Sequence, residues 1–227
     1  LKVDKKLRIK IFEKASLCRN FEINAFNYSK NRTIKIPIYL SAGQEFTSAT
    51  LSTLIFSKKI KPLIFAQHRC HSTYLSFGGK IENLIVELLG NYKLSNTRGM
   101  GGSASIYSKE IKMYGHDGHM GTQVPIGIGA CFTSRKPTIV FMGDASAEED
   151  YVLGALGWAS VKKLPILFIV EDNNLSILTE KKIRRNWHMH EVARSFKMRG
   201  YDLHDNPKEI YKYEKYFFKE PMLLNIN

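Results

Sequence analysis

The sequence predicts an α/β fold, a parallel sheet flanked by helices, and three observations carry that expectation. Two short apolar runs, residues 138–142 and 166–170, stand on either side of a helical stretch at 151–161. Runs of that length read as strands buried on both faces. Gly143-Asp144 closes the first run, and Leu164-Pro165 breaks the helix before the second, as turn and breaker residues do. Strand, crossover helix and parallel strand make a βαβ unit, whose right-handed crossover sets both carboxyl ends on one rim. Lastly, 227 residues suffice for one well-buried α/β core. The expectation is a single domain over 1–227 with an N-terminal helical arm at about 1–30.

The remaining elements follow in order. Leu7, Ile11, Ala15 and Cys18 recur at threes and fours, so 7–28 is helical. Ser41-Ala42-Gly43-Gln44-Glu45 opens an apolar helix at about 46–56, and 63–66 is a short strand that runs into Gln67-His68-Arg69-Cys70-His71. Residues 78–90 read as a helix with Ile81, Leu84, Ile85, Leu88 and Leu89 inward, and 124–132 as one packed through Gly127, Gly129 and Ala130. Ser146 and Glu149 stand three apart, as in a capping box. The helix after them carries Gly154, Ala155, Gly157 and Ala159, which let it lie close on a sheet. Residues 207–218 are expected as a final amphipathic helix and 222–226 as a final strand.

Composition narrows the function class. No run of eighteen apolar residues and no signal-peptide pattern occurs, so a soluble, cytoplasmic chain without membrane contact is expected. Cys18, Cys70 and Cys131 have no metal-ligand spacing and suit a reducing compartment. The net charge of +13 is spread along the chain without a basic stripe interleaved with aromatics, which argues against nucleic acid.

The rim carries the chemistry. Asn173 and Asn174 lie 29 and 30 residues beyond Asp144, and the βαβ geometry brings them together. A carboxylate, an amide oxygen and a loop carbonyl are hard oxygen ligands of the kind Mg²⁺ takes when phosphate and water complete its shell. A second reading fits the same spacing: Asp144 caps a helix and the Asn pair makes a turn. Arg69, at another strand's carboxyl end, suits bidentate contact with an anion. His71 can donate to an oxyanion or shuttle a proton, or be a satisfied loop histidine. His188 and His190 are two apart and do not share a helix face, so a metal pair is not expected there.

These motifs resemble a known family. Gly143-Asp144-Ala145, Lys163-Leu164-Pro165 and Glu171-Asp172-Asn173 are similar to the thiamin diphosphate motif of the α subunits of split 2-oxoacid dehydrogenase E1 enzymes. Gln67-His68-Arg69-Cys70-His71 resembles that family's Tyr/His-Arg-x-His segment, with the His-first form of acetoin-type enzymes. Arg98–Ser103 resembles its Gly-Gly-Ser segment, and the stretch 115–129 its glycine-rich Gln-x-Pro run. The resemblance spans about 10–227. It implies a thiamin diphosphate-binding fold, with Asp144, Asn173 and the Leu175 carbonyl on Mg²⁺. It further implies cofactor contacts from His68, Arg69, Gly118, Met120, Gly143, Asp144, Ala145, Ser146, Asn173 and Ile177, the last wedged under thiamin. His71 and His68 are the implied catalytic residues. A 2-oxoacid or acyloin is the implied substrate, and a pyrimidine-binding β subunit the implied partner, in an α₂β₂ assembly that can serve a lipoyl acyltransferase.

The chain departs from the family in several places. Ala145 replaces a glycine, Ala104-Ser105 stand where Met-His is usual, and Gly154 and Gly157 stand for a Glu and an Asn. A Gly-His-Ser loop near the substrate channel is not matched. Three readings follow: an E1-type decarboxylating subunit, or a non-oxidative synthase without lipoyl transfer; the N-terminal half of a split transketolase-like enzyme; and a non-catalytic relative.

Overall fold

Every residue of the two central strands, Thr138–Gly143 and Ile166–Glu171, is buried, because helices cover both faces of the sheet. The computed structural model describes residues 4–227. In chain order it has α1 (Lys5–Lys30), α2 (Glu45–Ser57), β1 (Leu63–Phe65), α3 (His71–Ser76), α4 (Ile81–Leu88), β2 (Met113–Tyr114), α5 (Gln123–Ser134), β3 (Thr138–Gly143), α6 (Asp150–Val161), β4 (Ile166–Glu171), β5 (Leu175–Ser176), β6 (Thr179–Glu180), α7 (Lys181–Arg184), α8 (Met189–Ser195), β7 (Arg199–Leu203), α9 (Pro207–Tyr211) and β8 (Met222–Ile226). Short 3₁₀ turns lie at Ser146–Glu148 and Glu214–Tyr216.

Six strands form one sheet in the order β2-β1-β3-β4-β8-β7, all parallel, while β5 and β6 make a separate antiparallel ribbon. Side-chain alternation divides the core in two. Ile139, Phe141, Leu167, Ile169 and Leu224 face a cluster shared with α1, α2, α3 and α4. Val140, Met142, Phe168, Val170 and Leu223 face a cluster shared with α5, α6 and α8. Gly127 brings α5 close to the sheet: a Cβ there would lie 2.8 Å from Val140 Cγ2 and 3.1 Å from the Phe65 ring. Among the described residues, no helix is long and apolar enough to cross a membrane.

Several expectations are corrected. The Ser146/Glu149 capping box is absent: Ser146 belongs to the 3₁₀ turn, and Glu149, in extended backbone, precedes α6 without a side-chain cap. Ile85 and Leu89 are exposed rather than inward, since Leu84 and Leu88, with Ile81 packed beside them, form the core-facing side of α4. Gly129 and Gly154 meet nothing within 4 Å, so they do not seat their helices on the sheet. The final helix stops at Tyr211 and a 3₁₀ turn replaces its second half. β2 and the edge strand β7 were not expected. One has two residues, and the other shows only weak alternation on a half-exposed edge. Ala145 sits at φ −72°, so replacement of a glycine there carries no backbone strain. Residues 1–3 of the expected arm lie outside the described residues, and α1 packs against α2 and α3.

Candidate active site

The register of the central strands sets up the site. Gly143 pairs with Glu171, so Asp144 and Asp172 leave adjacent strand ends side by side. From β1 the chain runs to β2 on one side of it and later returns to β3 on the other. The loops after β1 and β3 therefore flank the point where the strand order reverses, where open α/β sheets bind ligands. Arg69 is on the first loop and Asp144 on the second.

Arg69 Nη2 donates to the Glu171 carbonyl at 3.3 Å, and its buried Nε–H has no partner. Asp144 is 1 % exposed. Its carboxylate pairs with Arg184, whose Nη1 also donates to Glu148 Oε1 at 2.5 Å. Arg185 Nη1 donates to the Asp144 carbonyl at 3.0 Å, and its guanidinium stacks 4.6 Å from the Trp187 ring centre. The Nε–H groups of Arg184 and Arg185 are likewise unpartnered, as is Gln67 Oε1. A buried donor without an acceptor costs about 1–3 kcal/mol, more when charged, so three guanidinium orphans at one rim describe a place for an anion. Gly143 leaves the gap: a Cβ there would meet Gln67 Oε1 at 3.2 Å, Arg69 Nη2 at 3.8 Å and Ser146 Oγ at 3.9 Å.

The Asn pair divides its work. Asn173 Oδ1 accepts the Leu175 N–H at 3.1 Å, closing an Asx turn, while Asn174 takes φ 64°, a left-handed conformation that asparagine tolerates. Asp172 is not free for metal, because Lys181 Nζ lies 2.5 Å and Asn225 Nδ2 3.2 Å from its Oδ2. Ile177, at the β5–β6 turn, is 93 % exposed with φ 55°, so its side chain does not pack in the core. A β-branched residue at positive φ stores about 1–3 kcal/mol. Ile177→Gly is therefore expected to raise stability by about 1 kcal/mol, after glycine's entropic cost. Thermal unfolding checks this, and a lower Tm would show that the side chain packs on something in the folded chain.

His71 is corrected most plainly. It is 0 % exposed, with Nδ1 3.1 Å from Glu22 Oε2 and Nε2 2.8 Å from Ser103 Oγ. Glu22 and Ser103 are equally buried. The order acid, imidazole, hydroxyl copies a nucleophilic triad, yet all three side chains are buried. The chain of bonds ties α1 to the start of α3 and to the glycine-rich segment. It extends through Glu22 Oε1 to the Ser41 hydroxyl at 2.5 Å, and Ser103 Oγ accepts the Tyr39 N–H at 2.8 Å. His71 is a structural strut with no free nitrogen for catalysis.

His68 stays at the rim. Its ring meets Tyr39 edge-on at 5.1 Å and His116 at 5.8 Å. Burial, with Arg69 and His116 adding to it, lowers its pKa to about 4, so the ring is neutral at pH 7. His116 Nδ1 accepts the Gly118 N–H at 3.0 Å, and Gly118 holds φ 106°, a conformation open to glycine. The Met120 carbonyl accepts the Tyr151 hydroxyl. Among the described residues no group of three or more His, Cys, Asp or Glu side chains is placed to hold a metal. A cation here would depend on one carboxylate with amide and carbonyl oxygens.

The Dehydrogenase E1 component family model matches residues 13–202. The chain belongs to that family. Among sequence relatives, it is 31 % identical over 173 residues to pyruvate dehydrogenase E1 component subunit alpha-1, mitochondrial, of Oryza sativa subsp. japonica, covering 74 % of this chain and 43 % of the relative. It is 30 % identical over 203 residues to pyruvate dehydrogenase E1 component subunit alpha of Rickettsia prowazekii, covering 86 % and 60 %. The chain thus spans only part of the length of these relatives. Its backbone also resembles transketolase from Campylobacter jejuni, with TM-score 0.69 and 14 % identity over 99 % of this chain and 38 % of that one. At that identity the likeness is one of fold.

Within this E1 chain, the sequence reasoning passed over Gln67, Glu171, Arg184, Arg185 and His116 as site residues. Arg184-Arg185 in a Lys/Arg-rich segment reads as a solvated charge run, and only folding shows it turned onto Asp144. Glu171 follows an apolar run, and that burial was the available signal. Burial pushes its carboxyl up to about 7, against the opposing pull of Arg69 and Gln67. A raised folded pKa means the native state keeps a proton that the unfolded chain loses above about 4.5, so stability falls as pH rises from there to about 7. Glu171→Gln is expected to be more stable than wild type above pH 7, with the gap closing below pH 4.5. Tm measured from pH 4 to 8 tests this, and parallel Tm curves would contradict it.

Proposed function

We propose that this chain is the diphosphate-binding subunit of a heteromeric, thiamin diphosphate- and Mg²⁺-dependent enzyme. The enzyme decarboxylates a 2-oxoacid, or cleaves an acyloin, and passes on the acyl or aldehyde unit. The observation that carries the reading is the set of unpartnered guanidinium Nε–H groups of Arg69, Arg184 and Arg185, whose other nitrogens meet the strand ends at Glu171 and Asp144, in a chain of the E1 family. Bound thiamin diphosphate supplies the nucleophilic carbon and the electron sink.

This chain's residues bind and orient. Arg69 forks onto diphosphate oxygens, and Ser146 and the Ala145 turn line the gap at Gly143. Arg184 and Arg185 exchange the Asp144 loop for phosphate. The Asp144 carboxylate, the Asn173 amide oxygen and the Leu175 carbonyl would then hold Mg²⁺, whose charge would bind the diphosphate. Gly118 and Met120 would offer backbone to the aminopyrimidine, and strained Ile177 would support the thiamin. His68, neutral at pH 7, exchanges a hydrogen bond with substrate. The pyrimidine-activating acid comes from a β subunit in an α₂β₂ assembly, and a lipoyl acyltransferase is the acceptor system. Three buried, unpaired cysteines suit a reducing cytoplasm. The transketolase alternative has only fold likeness behind it.

Calorimetry with thiamin diphosphate and MgCl₂ tests the reading. Charge-assisted bonds of about 1.5–3 kcal/mol mean that Arg69→Ala weakens binding about tenfold to a hundredfold. Unchanged affinity removes Arg69 from the diphosphate, and no binding by the wild-type chain removes the reading itself.

A further inference from the structure

Helix α1 carries two apolar seams. One, through Ile11, Ala15, Cys18 and Ala25, is buried against the domain. The other, about a third of a turn around the helix, runs through Ile9, Phe12, Ser16, Arg19, Ile23 and Phe26. Its four apolar members are exposed by 48 %, 65 %, 51 % and 53 %. The steps along it alternate three and four residues, the spacing of a helix–helix seam. Its order is two apolar residues, two polar, two apolar, symmetric about a midpoint between Leu17 and Cys18.

We infer that this face pairs with the same face of a second copy, antiparallel and around a two-fold axis at that midpoint. An isologous contact requires a self-complementary patch, and this seam is one. Ile9 of one copy meets Phe26 of the other, Phe12 meets Ile23, and Ser16 meets Arg19. Arg19 is already oriented by Glu45, with its Nε 2.5 Å and its Nη2 2.9 Å from the two carboxylate oxygens. Charge selects the direction. Lys5, Lys6, Arg8 and Lys10 crowd the N-terminal end, while the other end carries Asn20, Asn24 and Asn27 with one cation, Lys30, in the last turn. A parallel pair would set the cations against each other. An antiparallel pair sets only Lys5 against a cation, Lys30, and lays the others along the Asn-rich stretch, toward the negative end of the partner helix's dipole. The seam is about 26 Å long, a small contact that makes a concentration-dependent dimer.

The inference does not depend on cofactor or β subunit, and its test uses neither. Sedimentation equilibrium of the 227-residue chain is expected to show a reversible dimer, and Phe12→Glu to shift it at least tenfold toward monomer. Phe12 lies outside the core, so circular dichroism of that variant should match wild type. Independently, Ile9→Cys chain mixed with Phe26→Cys chain is expected to form a disulfide-linked dimer on oxidation. Ile9→Cys alone should not, since its two copies lie far apart. The native cysteines are buried and do not compete. A chain monomeric at all concentrations, an unmoved dimer in Phe12→Glu, or linkage by Ile9→Cys alone would overturn the inference.

Discussion

Asp144→Asn is expected to abolish Mg²⁺-dependent thiamin diphosphate binding, with a loss of more than about a hundredfold, beyond what removal of an outer-shell partner causes. The amide keeps the shape of the carboxylate but removes the charge that a hard divalent cation needs. Structure makes this test sharper, because Asp144 already has a cationic partner in Arg184. Two effects separate in one variant. If the carboxylate's task is to hold metal, affinity collapses while circular dichroism and Tm change little, since Arg184 keeps Glu148. If its task is to anchor Arg184, Tm falls by several degrees and Mg²⁺-dependent binding persists. Calorimetry at varied MgCl₂, beside thermal melts, reads both, and the second pattern would refute the metal assignment.

His71→Phe is expected to destabilise the chain by roughly 3–5 kcal/mol, the cost of leaving a buried acid without its partner. For a chain of this size that lowers Tm by about 6–20 °C. Glu22 would retain only the Ser41 contacts, and Ser103 would lose its bond to the ring. His71→Gln offers a donor and an acceptor of similar reach and is expected to recover much of the loss. A catalytic His71 would behave otherwise: both variants would melt like wild type and lose turnover.

Legibility followed the range of the interactions. The βαβ unit, the strand ends at Gly143 and Glu171, and the course of α1 could be read because apolar periodicity and breaker residues act within a few positions. Local cues were also the source of the errors. Ser146 and Glu149 have capping-box spacing, but the chain turns through 3₁₀ geometry first. Residues 207–218 have helical pattern, but the helix ends after Tyr211, and Tyr213 stacks on Tyr201 of the edge strand.

The sequence by itself determined that a parallel sheet would bring Arg69, Asp144 and Asn173 to one rim, because a right-handed crossover permits little else. Only tertiary structure decided which charges meet there. Arg184 reaches Asp144 across 40 positions, Gln67 reaches Glu171 across 104, and His71 reaches Glu22 across 49. Such pairs leave no periodic trace, since each depends on which side chains are desolvated together when separate elements pack. Burial then sets their chemistry: it raises Glu171 toward neutrality, keeps His68 uncharged, and encloses His71 between Glu22 and Ser103.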